Sequence, residues 1–286
     1  MELRQLGRTG VRVTEACLGT MTFGRETPED ESIQILDRYL DAGGNFLDTA
    51  NAYNRGASEE ILGRALGKRR DQIVLATKCR MPMSGDTNDH GASRRVIRQQ
   101  VEASLRRLRT EWIDLYQIHC WDRDTPLEET LSTLDDLVRE GKVRYIGASN
   151  YTGWQLATAL GVSHAHGWEP YISIQPQYSL VTREIERELF PLAQYAGLAV
   201  LPWSPLGGGL LSGKYQAGAE PATDTRAADT TPSAVLMRVR MQEDRNFAVA
   251  AAVRDLATEL GKTMAQVALN WVLHRPGVTA PILGAR

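Results

Sequence analysis

Residues 113–149 read IDLYQIHCWDRDTPLEETLSTLDDLVREGKVRYIGAS, and the hydrophobic period changes twice along them. IDLYQIH (113–119) is a strand-length apolar run, Leu127, Leu131, Leu134 and Leu137 then recur at helical spacing up to Gly141, and VRYIGAS (143–149) is strand-like again. A strand, a helix and a second strand at this separation form one right-handed βαβ unit, whose helix needs a sheet to cover.

The unit repeats in both directions. Strand-like runs ACLGT (16–20), NFLD (45–48) and IVLATK (73–78) precede it, and YISIQ (171–175), LAVLPWS (198–204) and VTAPILG (278–284) follow. Helical stripes lie between them. In 28–43, Thr27 is the expected N-cap, Pro28 the first helical residue and Gly43 the stop; in 93–109, Ser93 precedes Ile97, Val101, Leu105 and Leu108. Further helical patterns run over about 244–260 and 263–274, and a short hairpin (LRQLG, turn, VRVTEA) opens the chain. Eight strands of this kind predict an α/β chain folded as a single (β/α)8 TIM barrel domain over 1–286 with an N-terminal β-hairpin. The first strand lacks a following G-x-G-x-x-G, which removes the doubly wound alternative. Residues 84–91 and 217–236 carry no apolar period and read as mobile polar loops at the barrel mouth.

The 286 residues balance 33 Lys+Arg against 35 Asp+Glu, so the basic excess that a nucleic-acid binder needs is missing. No run of 18 apolar residues and no apolar leader is seen, so neither membrane association nor secretion is expected and the cytoplasm is the expected compartment. Cys17, Cys79 and Cys120 have no C-x-x-C spacing and read as reduced thiols, and no metal site is expected.

Catalytic groups of such a barrel stand at the C-terminal ends of its strands. There Asp48, Lys78 and His119 end three strands, and Tyr53 follows in DTANAY. This set suits proton transfer by a phenol. Free tyrosine has a pKa of about 10, and an ammonium about 4 Å away is worth roughly 4 kcal/mol at an effective dielectric of 20, up to about three units before desolvation is subtracted. Asp48 would keep Lys78 charged, which opposes a Schiff-base role for it, and His119 would orient a carbonyl oxygen. GGLLSGKY (208–215) has a phosphate-loop skeleton with Tyr215 where a magnesium-binding hydroxyl belongs, so phosphate contact is expected but not kinase chemistry.

LGTMTFG, NFLDTANAY with SEEILGRAL, VLATK, LYQIH, GKVRYIGASN, IQPQYSL and PWSPLGGGLLSGKY, in that order, resemble the aldo-keto reductase family from about residue 3 to 286. The resemblance implies a barrel that reduces an aldehyde or ketone with NADPH, reversibly, and Asp48, Tyr53, Lys78 and His119 match the family's catalytic tetrad. It further implies that Thr20, Met21 and Asp48 line the nicotinamide, that Ser149, Asn150 and Gln175 hold its carboxamide, and that Trp203 stacks on its ring, where many members have Tyr. Ser204, Leu206, Gly209 and Lys214 would follow the pyrophosphate, with Gly284 and Arg286 as further cofactor contacts and Arg286 the candidate for the 2′-phosphate. The family continues into a helix after the segment matching GAR, so that helix is expected to be absent here. Potassium-channel β subunits share much of the motif set, which makes a cofactor-binding regulatory subunit the alternative. The substrate itself and the oligomeric state are not legible.

Overall fold

The computed structural model describes residues 1–215 and 243–285. Leu3–Gln5 (β1) and Arg12–Thr14 (β2) pair as the expected antiparallel hairpin. Eight parallel strands follow among the described residues: Cys17–Gly19 (β3), Phe46–Asp48 (β4), Val74–Cys79 (β5), Ile113–Ile118 (β6), Val143–Ser149 (β7), Ser173–Gln175 (β8), Ala199–Val200 (β9) and Ile282–Gly284 (β10). They are ordered β10-β3-β4-β5-β6-β7-β8-β9. The ring closes where Val200 bridges Val278 and the Ile282 N–H donates to the Pro202 carbonyl at 2.8 Å. The chain is thus a (β/α)8 barrel with an N-terminal hairpin.

Two strands fall furthest short of their sequence patterns, and proline is the reason. LAVLPWS is regular only over Ala199–Val200, and VTAPILG only over Ile282–Gly284. Pro202 and Pro281 have no N–H for the ladder, so neighbouring residues pair as isolated bridges instead, such as Trp203 with Gln177. A second correction concerns the first barrel helix, Glu29–Asp41, whose N-cap is Pro28 and not Thr27. The Thr27 hydroxyl donates to Thr22 Oγ1 instead, and Ser32 Oγ bonds back to the Thr27 and Pro28 carbonyls. Ser93 caps Arg94–Leu108 as expected, accepting from the Val96 N–H.

Side chains two residues apart on a strand share a face, so the barrel interior is built in layers. Near the N-terminal ends, Cys17, Phe46, Ala76, Leu115 and Ala199 form one apolar cluster with Leu6 and Val13 of the hairpin, which therefore covers that end of the barrel. One step further along the same strands stand Asp48, Lys78 and Gln117, all buried and polar. The loop over 84–91 leaves the barrel after β5 as expected, yet it is anchored: Asp89 is buried and accepts from the Met83 N–H, and Gln100 donates to the Asp89 and Met81 carbonyls. The expected mouth loop over 217–236 lies outside the described residues.

Candidate active site

Asp48, Tyr53, Lys78 and His119 come together at the C-terminal end of the barrel. Asp48 ends β4, Lys78 is one residue before the end of β5, and His119 stands one residue past β6. Lys78 is fully buried, and its Nζ donates to Asp48 Oδ1 at 2.6 Å, the Thr49 carbonyl at 2.7 Å and the Tyr53 hydroxyl at 3.2 Å. An ammonium has three N–H donors, so all of them are committed. Because the Tyr53 oxygen accepts one of them, the phenol's own O–H is directed to some other acceptor. Burial by itself pushes the Lys78 pKa down, but the Asp48 charge and then Tyr53 outweigh it and hold it above the usual lysine value. Lys78 is therefore an ammonium at neutral pH.

His119 is the opposite case. Burial, reinforced by the positive charges of Lys78 and Arg80, pulls its pKa down to about 3, so the imidazole is neutral. Its ring meets that of Tyr53 edge-on with centroids 6.0 Å apart, and its Nδ1 is buried with no partner among the described residues.

The backbone around Tyr53 is unusual. Tyr53–Gly56 is a single tight turn in which Asn54 and Arg55 have φ values of 50° and 56°, in the left-handed region. Asn54 holds it by donating from Nδ2 to the Phe23 carbonyl at 2.6 Å and the Met21 carbonyl at 3.1 Å. On the other side, the Asn51 N–H donates to the Lys78 carbonyl, which keeps DTANAY alongside β5.

Gln117 was not singled out by sequence, although it lies two residues before His119 and so on the same strand face. Its Nε2 donates to Asp48 Oδ2 at 3.3 Å, next to Gln175 Nε2 at 2.8 Å from the same oxygen. Asp48 is thus fixed by a cation on one oxygen and two amides on the other.

The residues expected around a nicotinamide are joined to this cluster. Ser149 Oγ donates to the Gln175 carbonyl, Asn150 Nδ2 to the His119 carbonyl at 2.9 Å, and Trp203 Nε1 to Asn150 Oδ1 at 3.0 Å. An indole and several side-chain amides beside the tetrad have the chemistry that an aromatic ring bearing a carboxamide needs, so the nicotinamide end fits. Met21 lies exposed at the rim, whereas Thr20 is buried with its hydroxyl on Ser58 Oγ and the Asp48 carbonyl. The glycine turn differs from the expected phosphate cradle. The amides of Gly207, Gly208 and Gly209 donate to the Ser204 carbonyl, Ser204 Oγ and the Leu206 carbonyl, so they are satisfied within the turn. Leu206 packs onto the apolar cluster of Leu210, Leu211 and Tyr215, Lys214 is exposed, and Gly284 is exposed opposite Gly19 at the barrel rim. Arg286 lies outside the described residues.

A parallel eight-stranded barrel with an Asp, Tyr, Lys and His cluster at its C-terminal mouth defines a class of oxidoreductase. The family model described as aldo/keto reductase family matches residues 15–286, and the chain belongs to that family. It is 42% identical to an uncharacterized oxidoreductase of Bacillus subtilis, YrpG, over 100% of this chain and 87% of that protein. It is 36% identical to the versiconal hemiacetal acetate reductase of Aspergillus parasiticus, covering 99% of this chain and 88% of the relative. A probable voltage-gated potassium channel subunit beta of Oryza sativa subsp. japonica is 34% identical, over 100% of this chain and 87% of its own length. No helix among the described residues is long and apolar enough to cross a membrane.

Proposed function

We propose that this protein reduces an aldehyde or ketone to the corresponding alcohol, reversibly, with NADPH as the hydride donor and Tyr53 as the proton donor. The observation that carries the reading is the bond from Lys78 Nζ to the Tyr53 hydroxyl at 3.2 Å, made by an ammonium that Asp48 keeps charged. That bond turns the phenol proton outward and stabilises the phenolate left after transfer. Neutral His119 donates an N–H to the carbonyl oxygen and so fixes its direction. Ser149, Asn150 and Gln175 would hold the carboxamide of the cofactor, Trp203 would lie against its ring, and NADPH, when bound, would supply the hydride. Lys214 and Arg286 are the cations we assign to its phosphates. The three free cysteines among the described residues favour a reducing compartment, the cytoplasm.

The test is Tyr53→Phe, which keeps the ring and deletes the hydroxyl. Hydride transfer, followed by NADPH absorbance with a panel of aldehydes and ketones, is expected to fall by at least roughly 100-fold while NADPH affinity changes little. Near-normal turnover removes the assignment. The second reading, a cofactor-binding regulatory subunit, draws on the channel-subunit relatives. It is favoured if the wild-type protein binds NADPH yet oxidises it with no carbonyl compound.

A further inference from the structure

Beyond its charge acting on His119, Arg80 has no part in the site described above. It stands one residue beyond the last paired residues of β5 and β6, Cys79 and Ile118, which sets it abreast of His119 across the strand pair. The His119 N–H donating to the Cys79 carbonyl at 3.1 Å continues that pairing. Arg80 has a φ of 95°, a strained conformation for a residue with a side chain. The strain is imposed from both sides: its N–H donates to Gln100 Oε1 at 2.8 Å and its carbonyl accepts from the Gly91 N–H at 3.0 Å.

The guanidinium is poorly partnered for a group so placed. Its Nε is buried with no hydrogen-bond partner among the described residues. The carboxylate it faces, Asp122, is 3.9 Å from Nη2 and already accepts from the Ala92 N–H and Thr125 Oγ1 at 2.7 Å each and from the Asp124 N–H at 3.3 Å. The two short bonds fall on Oδ2, and Oδ1, which faces Arg80, accepts only the Asp124 N–H, so Arg80 and Asp122 form a loose ion pair with no hydrogen bond between them. Arg80 retains donors and charge one strand over from the imidazole assigned to the reacting carbonyl, and its side chain is 24% exposed. Its field is felt at the site, since it adds to the lowering of the His119 pKa.

We infer that Arg80 is a specificity residue that receives a carboxylate carried by the substrate, so that the preferred substrates are aldehydes and ketones bearing an acid group a few bonds from the carbonyl. This rests on the reductase reading of the same site. An arginine fork offers a carboxylate two parallel charge-assisted hydrogen bonds, which in a partly buried site is worth roughly 10- to 100-fold in affinity.

The experiment compares 3-carboxybenzaldehyde with its methyl ester, which keeps the ring and the aldehyde and removes the charge. Wild-type kcat/KM is expected to favour the acid at least roughly tenfold, mainly through KM, and Arg80→Met to bring the acid-to-ester ratio to about one, with Arg80→Lys restoring part of it. A wild-type ratio of one or less, or an unchanged ratio in Arg80→Met, overturns the inference. A residue that only tied two loops together would lower both substrates equally. If Arg80→Met does not fold, Arg80→Gly removes the charge and relieves the positive φ. If no aldehyde is reduced, it is the reductase reading that fails, and Arg80 is decided by titrating 3-(hydroxymethyl)benzoate against tryptophan fluorescence. Binding about tenfold weaker to the variant supports the inference, and equal binding overturns it.

Discussion

Thr77 and Lys78 are neighbours on β5 that face opposite ways, and each meets a buried carboxylate. Outside the barrel, Thr77 Oγ1 donates to Glu59 Oε1 at 2.6 Å and Arg107 Nε to Glu59 Oε2 at 2.7 Å, with Glu59 fully buried. Inside, Lys78 meets Asp48 at 2.6 Å. Both pairs are short and desolvated, yet their surroundings differ. Around the outer pair, Ala57–Leu66 and Arg94–Leu108 approach so closely that a Cβ on Gly63 would collide with the Arg107 carbonyl. Every polar contact of Glu59 ends on protein that is going nowhere. The inner cation instead shares one N–H with a phenol. A buried charge therefore signals chemistry only when its network ends on a group that can pass a proton on, and the outer pair is the control for the inner one.

Breaking each pair should give a different readout. Lys78→Met removes the ammonium beside Tyr53, an interaction worth up to about 4 kcal/mol before desolvation is subtracted, so hydride transfer should fall by about 1000-fold in single-turnover measurements. Gln117 and Gln175 still hold Asp48, and circular dichroism should show a folded barrel. A loss below tenfold would deny Lys78 its electrostatic role. Glu59→Gln is the smaller change. It leaves Arg107 with a neutral partner and should lower the unfolding free energy by about 3 kcal/mol in urea, with kcat/KM within twofold of wild type. A tenfold loss of kcat/KM in folded Glu59→Gln would end the distinction between the two pairs.

The inner pair was legible in the sequence because its members are ionisable and stand at strand ends, where alternation alone puts them on one rim. Gln117 obeys the same alternation but carries no charge to mark it. The short β9 and β10 were also written in the chain, since Pro202 and Pro281 interrupt the two runs. Other features depend on side-chain and backbone contacts that no sequence pattern marks. Thr20 turns its hydroxyl to Ser58, 38 residues away, and Thr27 bonds to Thr22 when a cap was expected. The glycine turn has the phosphate-loop spacing, but spacing does not reveal that its amides are already satisfied by Ser204 and Leu206. Nothing local marks Arg80 as a positive-φ residue; Gln100 and Gly91, which hold it there, come from the following helix and loop.

The smallest effect sharpens the same contrast through pH. The inner region keeps one cation by pairing it and one imidazole neutral by burying it, so their pKa values are shifted in opposite directions. His119 has its pKa lowered from 6.5 to about 3 in the folded state. Below pH 6.5 the unfolded chain takes up a proton on this residue that the folded chain refuses, so stability must fall as pH falls, and the loss ceases near pH 3. Between neutral pH and pH 5 this amounts to about 2 kcal/mol. Lys78 contributes nothing to that window, because its raised pKa makes its contribution disappear only at alkaline pH. Urea unfolding of wild type and His119→Gln from pH 8 to 5 should show the variant losing about 2 kcal/mol less than wild type. The same burial predicts that kcat/KM shows no histidine limb near pH 6.5. Parallel stability curves for the two proteins would mean that His119 is protonated as readily in the barrel as outside it, and the neutral hydrogen-bond donor would then be lost from the proposed chemistry.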